Sequence, residues 1–182
     1  MTSIAELVPP PRVPVGLDLS WDEVEREVGL ALPGDYKSFV DAYGSGKIIS
    51  QNGWLDVWNF RDASLGHPLQ ELLCGKGSVV SLYRKILALG YEWPYPLYPQ
   101  SGGLLPFAAV NDVNHLNWLT RGLADTWDLV YFAFDEFDEV DLLEGDTFTR
   151  FLLKALNKGY DRPVDPGLDH PFAFQPDAGP RG

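Results

Sequence analysis

The chain has 182 residues, of which 45% are hydrophobic, enough for one domain with a buried core. Its 14 Lys and Arg stand against 26 Asp and Glu, a formal charge of -12, which argues against binding nucleic acid or an anionic membrane, since either needs a basic face. A basic protein partner fits that charge better. No stretch of about 18 uncharged apolar residues occurs. The N-terminus, MTSIAELVPPPRVPVGLDL, has neither a basic leader nor an apolar segment with a small-residue cleavage site, so a cytoplasmic protein is expected. One cysteine, Cys74, permits no intrachain disulfide and no thiolate cluster, and reads as a small buried hydrophobe.

The prolines of residues 1–17 predict an extended arm. Ser20 and Glu23 then form a capping-box pattern, with Trp21, Val24 and Val28 at helical spacing up to Gly29. Pro33 suits the first turn of a second helix, whose Tyr36, Phe39, Val40 and Tyr43 make an apolar stripe that Gly44 ends. Residues 47–60 predict a hairpin about Asn52-Gly53. Leu65, Leu69 and Leu72 could line one helix, although His67-Pro68 interrupts it. Val79, Leu82, Tyr83, Ile86 and Leu87 predict a stronger helix ending at Gly90.

Residues 91–106 carry four prolines and predict turns whose aromatic residues lie over the core. Three strands follow, at 104–110, 115–120 and 127–134, as an antiparallel meander. In the third, Trp127, Leu129, Tyr131 and Ala133 alternate with Asp128, Val130, Phe132 and Phe134, so both faces should be covered and the strand central. A last helix is expected after Asp146 or Thr147, with Phe148, Phe151, Leu152, Ala155 and Leu156 inward. Residues 161–182 form a proline- and glycine-rich tail.

Catalytic and metal chemistry find little support. His67, His115 and His170 lie in separate segments with no ligand spacing, and His115 reads as a surface or strand-edge residue. The glycine runs lack the phosphate-cradling pattern, and no nucleophile elbow occurs. No catalytic, cofactor or metal residue is therefore assigned. Between Arg121 and Arg150 nine acids occur without a Lys or Arg: Asp125, Asp128, Asp135, Glu136, Asp138, Glu139, Asp141, Glu144 and Asp146. Their clustering costs self-repulsion, which a functional surface is one reason to tolerate; the alternative is a solvated connection with favourable acids at the first turn of the last helix.

Together, Trp21…Glu25, Leu32-Pro33-x-Asp35-Tyr36-x-x-Phe39…Tyr43-Gly44-x-Gly46, Gly103-Leu104-Leu105-Pro106-Phe107, Asn114…Trp118, Trp127 and Phe148-Thr149-x-Phe151-Leu152 resemble the SUKH superfamily. That group holds the yeast cell-wall assembly regulator and many bacterial toxin-immunity proteins, and the resemblance covers about residues 18–160. It implies an α+β domain, with a twisted, mostly antiparallel sheet and flanking helices, and neither enzymatic activity nor cofactor. It further implies a protein-binding role: an immunity protein neutralising a cognate toxin, such as a nuclease, or a regulatory scaffold of the same fold. The matching Trp21, Leu32-Pro33, Tyr36, Phe39, Gly44 and Phe148-Phe151-Leu152 are expected to be structural. Expected partner-binding residues are Trp54, Asp112 and Asn114 on the loop side and Glu136, Asp138, Glu139 and Asp141 in the acidic run. The sequence departs from relatives at Asn111-Asp112-Val113-Asn114, where a glycine after the asparagine is common. A third reading, a small-ligand site, would gather Trp93, Tyr95, Tyr98 and Trp118 into one aromatic pocket.

Overall fold

Local capping starts the architecture. In the computed structural model, which describes residues 3–65, 68–134, 139–160 and 167–177 apart from the side chain of Glu139, helix α2 (Trp21–Val28) begins at the reciprocal Ser20–Glu23 capping box and stops at left-handed Gly29. Pro33 stands at the N-cap of α3 (Gly34–Tyr43), one position before the expected first turn. Ahead of them, within the stretch read as an extended arm, Ser3 and Glu6 box-cap a single helical turn, α1 (Ile4–Leu7). Val8 follows it into the core, and its carbonyl accepts from the Tyr43 hydroxyl at 2.6 Å.

Seven antiparallel strands make one sheet: β1 (Gly46–Ile49), β2 (Trp54–Val57), β3 (Leu104–Val110), β4 (Asn114–Leu119), β5 (Leu129–Ala133), β6 (Glu139–Leu143) and β7 (Ala173–Pro176). Their spatial order is β6-β5-β4-β3-β2-β1-β7. One face packs Phe107, Trp118, Leu129 and Tyr131 against α2, α3 and α6 (Phe148–Leu156). The other places Leu104, Leu119, Val130 and Phe132 beneath Val80 and Tyr83 of α5 (Val79–Ala88). Strand β5 is thus buried on both faces, as its alternation predicts. It is not central, however: it lies one strand in from the β6 edge, and β3 occupies the middle.

Two strands were not anticipated. Strand β6 arises inside the acidic run, where backbone pairing from Leu129↔Leu143 to Ala133↔Glu139 overrides the poor strand propensity of Asp and Glu. Strand β7 arises in the tail and pairs with β1 from Gly46↔Pro176 to Ile49↔Ala173. The backbone of Gly46, at φ 152, leaves no room for a Cβ, which would sit 2.4 Å from the Gln175 carbonyl oxygen. At Gly44, φ 69, a Cβ would meet the Val15 carbonyl oxygen at 2.3 Å. Close backbone approach therefore accounts for both glycines of Tyr43-Gly44-x-Gly46.

The suggested single helix through Leu65, Leu69 and Leu72 is divided. A short 3₁₀ turn spans Ala63–Leu65, and α4 (Leu69–Cys74) starts after its N-cap, Pro68. His67 lies outside the described residues. Pro106 is tolerated within β3 because the register shifts between Pro106 and Ala108, a bulge at which its missing N–H breaks no ladder.

Candidate protein-interaction site

Two described strand connections meet at one end of the sheet. The β1–β2 loop and the β3–β4 turn adjoin there, since the Trp54 N–H donates to Asn111 Oδ1 at 2.9 Å and the Asn111 N–H donates to the Trp54 carbonyl at 3.0 Å. Ala133 and Glu139 pair at the same end. The β3–β4 turn closes with the Val113 N–H on the Val110 carbonyl at 3.1 Å, and Asn111 and Asp112 take φ of 53° and 58°. Asn and Asp tolerate that left-handed backbone, so the turn forms without a glycine.

Asp112 projects from this turn with an exposed side chain. Its Oδ1 accepts from the Trp54 indole N–H and from Lys47 Nζ, each at 3.2 Å. Lys47 also reaches Asp56 at 3.4 Å and lies 5.5 Å from the Trp54 ring centroid. Partial desolvation opposes ionisation of Asp112, but the Trp54 and Lys47 contacts outweigh it and hold its carboxyl below the usual range. Asp56 shifts the other way. Burial dominates, Lys47 offsets it only in part, and the Asp177 and Asp112 carboxylates add to the rise.

Trp54 and Asp112 are thus in direct contact, as part of a cluster with Lys47 and Asp56 that sequence reading missed; alternation along β1 and β2 was its available signal. Asn114 does something different: its Oδ1 accepts from the Phe134 N–H at 2.9 Å, tying β4 to the end of β5. Glu136, Asp138 and the side chain of Glu139 lie outside the described residues. Asp141 is opposite Tyr131 in the register and half-buried, with its Oδ2 buried and without a hydrogen-bond partner.

Several acids of the run have structural work. Asp125 accepts from the Gly34 N–H at 2.6 Å, and Asp128 from the Gly145 N–H at 2.8 Å. Asp146, 5% exposed, binds Lys154 at 2.7 and 2.8 Å and accepts from the Tyr160 hydroxyl. Glu144 remains exposed.

The residues considered for chemistry are dispersed. His115 is buried rather than at the surface, packed among Trp58, Tyr83 and Phe134, and burial lowers its pKa to about 4. The half-buried Cys74 thiol is pushed up by burial. No group of three His, Cys, Asp or Glu suited to a metal occurs among the described residues. The proposed aromatic pocket does not assemble, because Tyr98 and Trp118 fill the main core while Trp93 and Tyr95 pack on the α5 side. Among the described residues no helix is long and apolar enough to cross a membrane.

The SUKH_6 family model, described as SMI1-KNR4 cell-wall, matches residues 18–152. The chain belongs to the SUKH family. No curated protein and no solved structure matches it significantly. The SUKH match spans α2 through the first half of α6, so it includes the Trp54–Asp112 cluster and excludes α1 and β7.

The SUKH motif Leu32-Pro33-x-Asp35-Tyr36 acquires a physical account here. Asp35 accepts from the Tyr36 N–H at 2.8 Å and from the Thr149 N–H at 2.9 Å, capping the start of α6 where Thr147 makes no side-chain cap. The Tyr36 hydroxyl, its pKa raised by burial, donates to the Trp58 carbonyl at 2.5 Å. Leu32 is buried, and its N–H donates to Glu25 at 2.9 Å. The motif joins α2, α3, α6 and the end of β2.

Proposed function

We propose that this chain is a non-enzymatic, protein-binding domain of the immunity type, acting in the cytoplasm to neutralise a basic cognate toxin. The observation that carries the reading is the SUKH match over residues 18–152 in a chain of formal charge -12. A toxin that acts on nucleic acid needs a cationic substrate face, and an acidic protein fits over such a face. Long-range attraction speeds encounter, and shape complementarity with charge pairs at the contact then holds the complex.

The proposed contact surface comprises the sheet end bearing Trp54 and Asp112 together with the acids Glu136, Asp138, Glu139 and Asp141 of the acidic run. From β2 to β6 there are four strand spacings, about 19 Å. That width suits a contact patch of about 800 Å² per partner. Asn114 sets the geometry of this surface through the Phe134 N–H.

The test is protection. Co-expression of the chain with a basic toxin encoded beside it should restore growth, and the purified pair should form a stoichiometric complex lacking toxin activity. The description of the matched family as cell-wall favours a second reading, a regulatory scaffold without a toxin partner. Loss of cell-wall integrity on deletion of the chain, with no protection against any neighbouring gene product, would establish that second reading instead.

A further inference from the structure

A cleft of ≈320 Å³ lies between the α4–α5 corner and strands β1 and β2. Trp58, Leu72 and Val79 give it apolar walls, and Asp56 and Asp177 line it. Asp177 is placed by its backbone, whose N–H donates to the Ser45 carbonyl at 3.0 Å as the chain leaves β7. The cleft thus joins the family-matched core to the tail. Its volume is at the small end for a ligand pocket and fits one long side chain.

Charge selects the occupant. Lys47 is shared between Asp56 at 3.4 Å and Asp112 at 3.2 Å, while the Asp177 carboxylate has no cationic partner among the described residues. Among the described residues, the two acids that line the cleft, Asp56 and Asp177, face one ammonium that is itself divided with Asp112 outside the lining, which leaves at least about one negative charge at its sheet side. The N-terminus of α5, on the opposite wall, supplies only about half a positive charge. One of its N–H groups, that of Ser81, is already bonded to Ser78 Oγ at 3.1 Å. The excess therefore remains negative, and burial of Asp56 raises the cost of leaving it uncompensated.

We infer that this cleft receives an arginine side chain presented by the protein partner. Arginine fits better than lysine because its flat guanidinium directs several N–H groups to separate carboxylates, packs on an aromatic surface such as Trp58, and is less strongly hydrated. Its three methylenes meet the apolar walls. The source of the arginine rests on the protein-binding reading; the chemistry of the cleft does not.

Titration of the isotope-labelled full chain with N-acetyl-arginine amide, followed by NMR at the Trp58 indole and Asn59 side-chain amide, tests this directly. The citrulline counterpart serves as the uncharged isostere. Saturable shifts are expected for arginine, with affinity roughly fivefold or more above citrulline. Asp177→Asn removes a carboxylate that makes no side-chain hydrogen bond or ion pair with another described residue, so the fold should persist while arginine affinity falls roughly two- to fivefold. Absence of saturation, equal affinity for citrulline, or unchanged affinity in Asp177→Asn would overturn the assignment. Failure here with toxin protection intact removes the arginine site and leaves the immunity reading standing; arginine binding without protection does the reverse.

Discussion

His115 shows how one buried side chain sets a pH response. Its ring is 7% exposed, and its Nδ1 is buried without a hydrogen-bond partner. The unfolded chain takes up a proton near pH 6.5, whereas the folded chain refuses it until about pH 4. Stability therefore falls as pH drops through that window, by roughly 3 kcal/mol from this group alone. His115→Phe keeps an aromatic ring among its aromatic neighbours and removes the titration. Thermal unfolding followed from pH 7 to pH 4 should show a shallower loss in the variant; parallel curves would contradict the burial of a neutral imidazole. Asp35 supplies a second test at this scale. Asp35→Ala removes bonds to two backbone N–H groups, of Tyr36 and Thr149, and should cost about 1 to 2 kcal/mol in urea unfolding.

Helix α6 fastens the main core to the sheet. Phe148, Phe151, Leu152, Ala155 and Leu156 are buried, and Phe151 is fully enclosed. Phe151→Ala should destabilise by roughly 3 to 5 kcal/mol, measured by chemical denaturation, through lost transfer energy and the cavity left behind. Elements like α6 were legible in the sequence because period and boundary signals agree: the apolar residues recur at helical spacing. Strand β6 was not legible, since Asp and Glu hide the alternation and only pairing with β5 reveals it. His115 was misread for a related reason. In Asn114-His115-Leu116-Asn117-Trp118, polar residues mark a face that looks solvated, yet α5 covers that face and the Tyr83 hydroxyl donates to Asn117 at 3.0 Å. The cleft could not be read at all, because it unites positions from 45 to 177 that only tertiary packing brings together.

For the molecule as a whole, the SUKH frame is held by contacts within the sheet layers, leaving one end of the sheet to carry the Trp54–Asp112 cluster. The acids have two separable roles. Asp125, Asp128 and Asp146 bond to the frame, whereas Glu136, Asp138, Glu139 and Asp141 belong to the proposed encounter surface. A charged β6 also protects an outer strand from unwanted pairing. Encounter charges act over a Debye length of about 8 Å at physiological salt, so their contribution appears mainly in the association rate.

The most direct measurement is the association rate constant of the chain with its basic partner across a salt series, compared with a variant in which Glu136, Asp138 and Glu139 become Gln or Asn. The account predicts a rate that falls steeply with salt in the native chain. The variant should associate about tenfold more slowly at low salt, with a flattened salt dependence and nearly unchanged thermal unfolding. Native-chain rates that ignore salt, or a variant that associates as fast as the native chain, would contradict an acidic surface built to meet a basic protein.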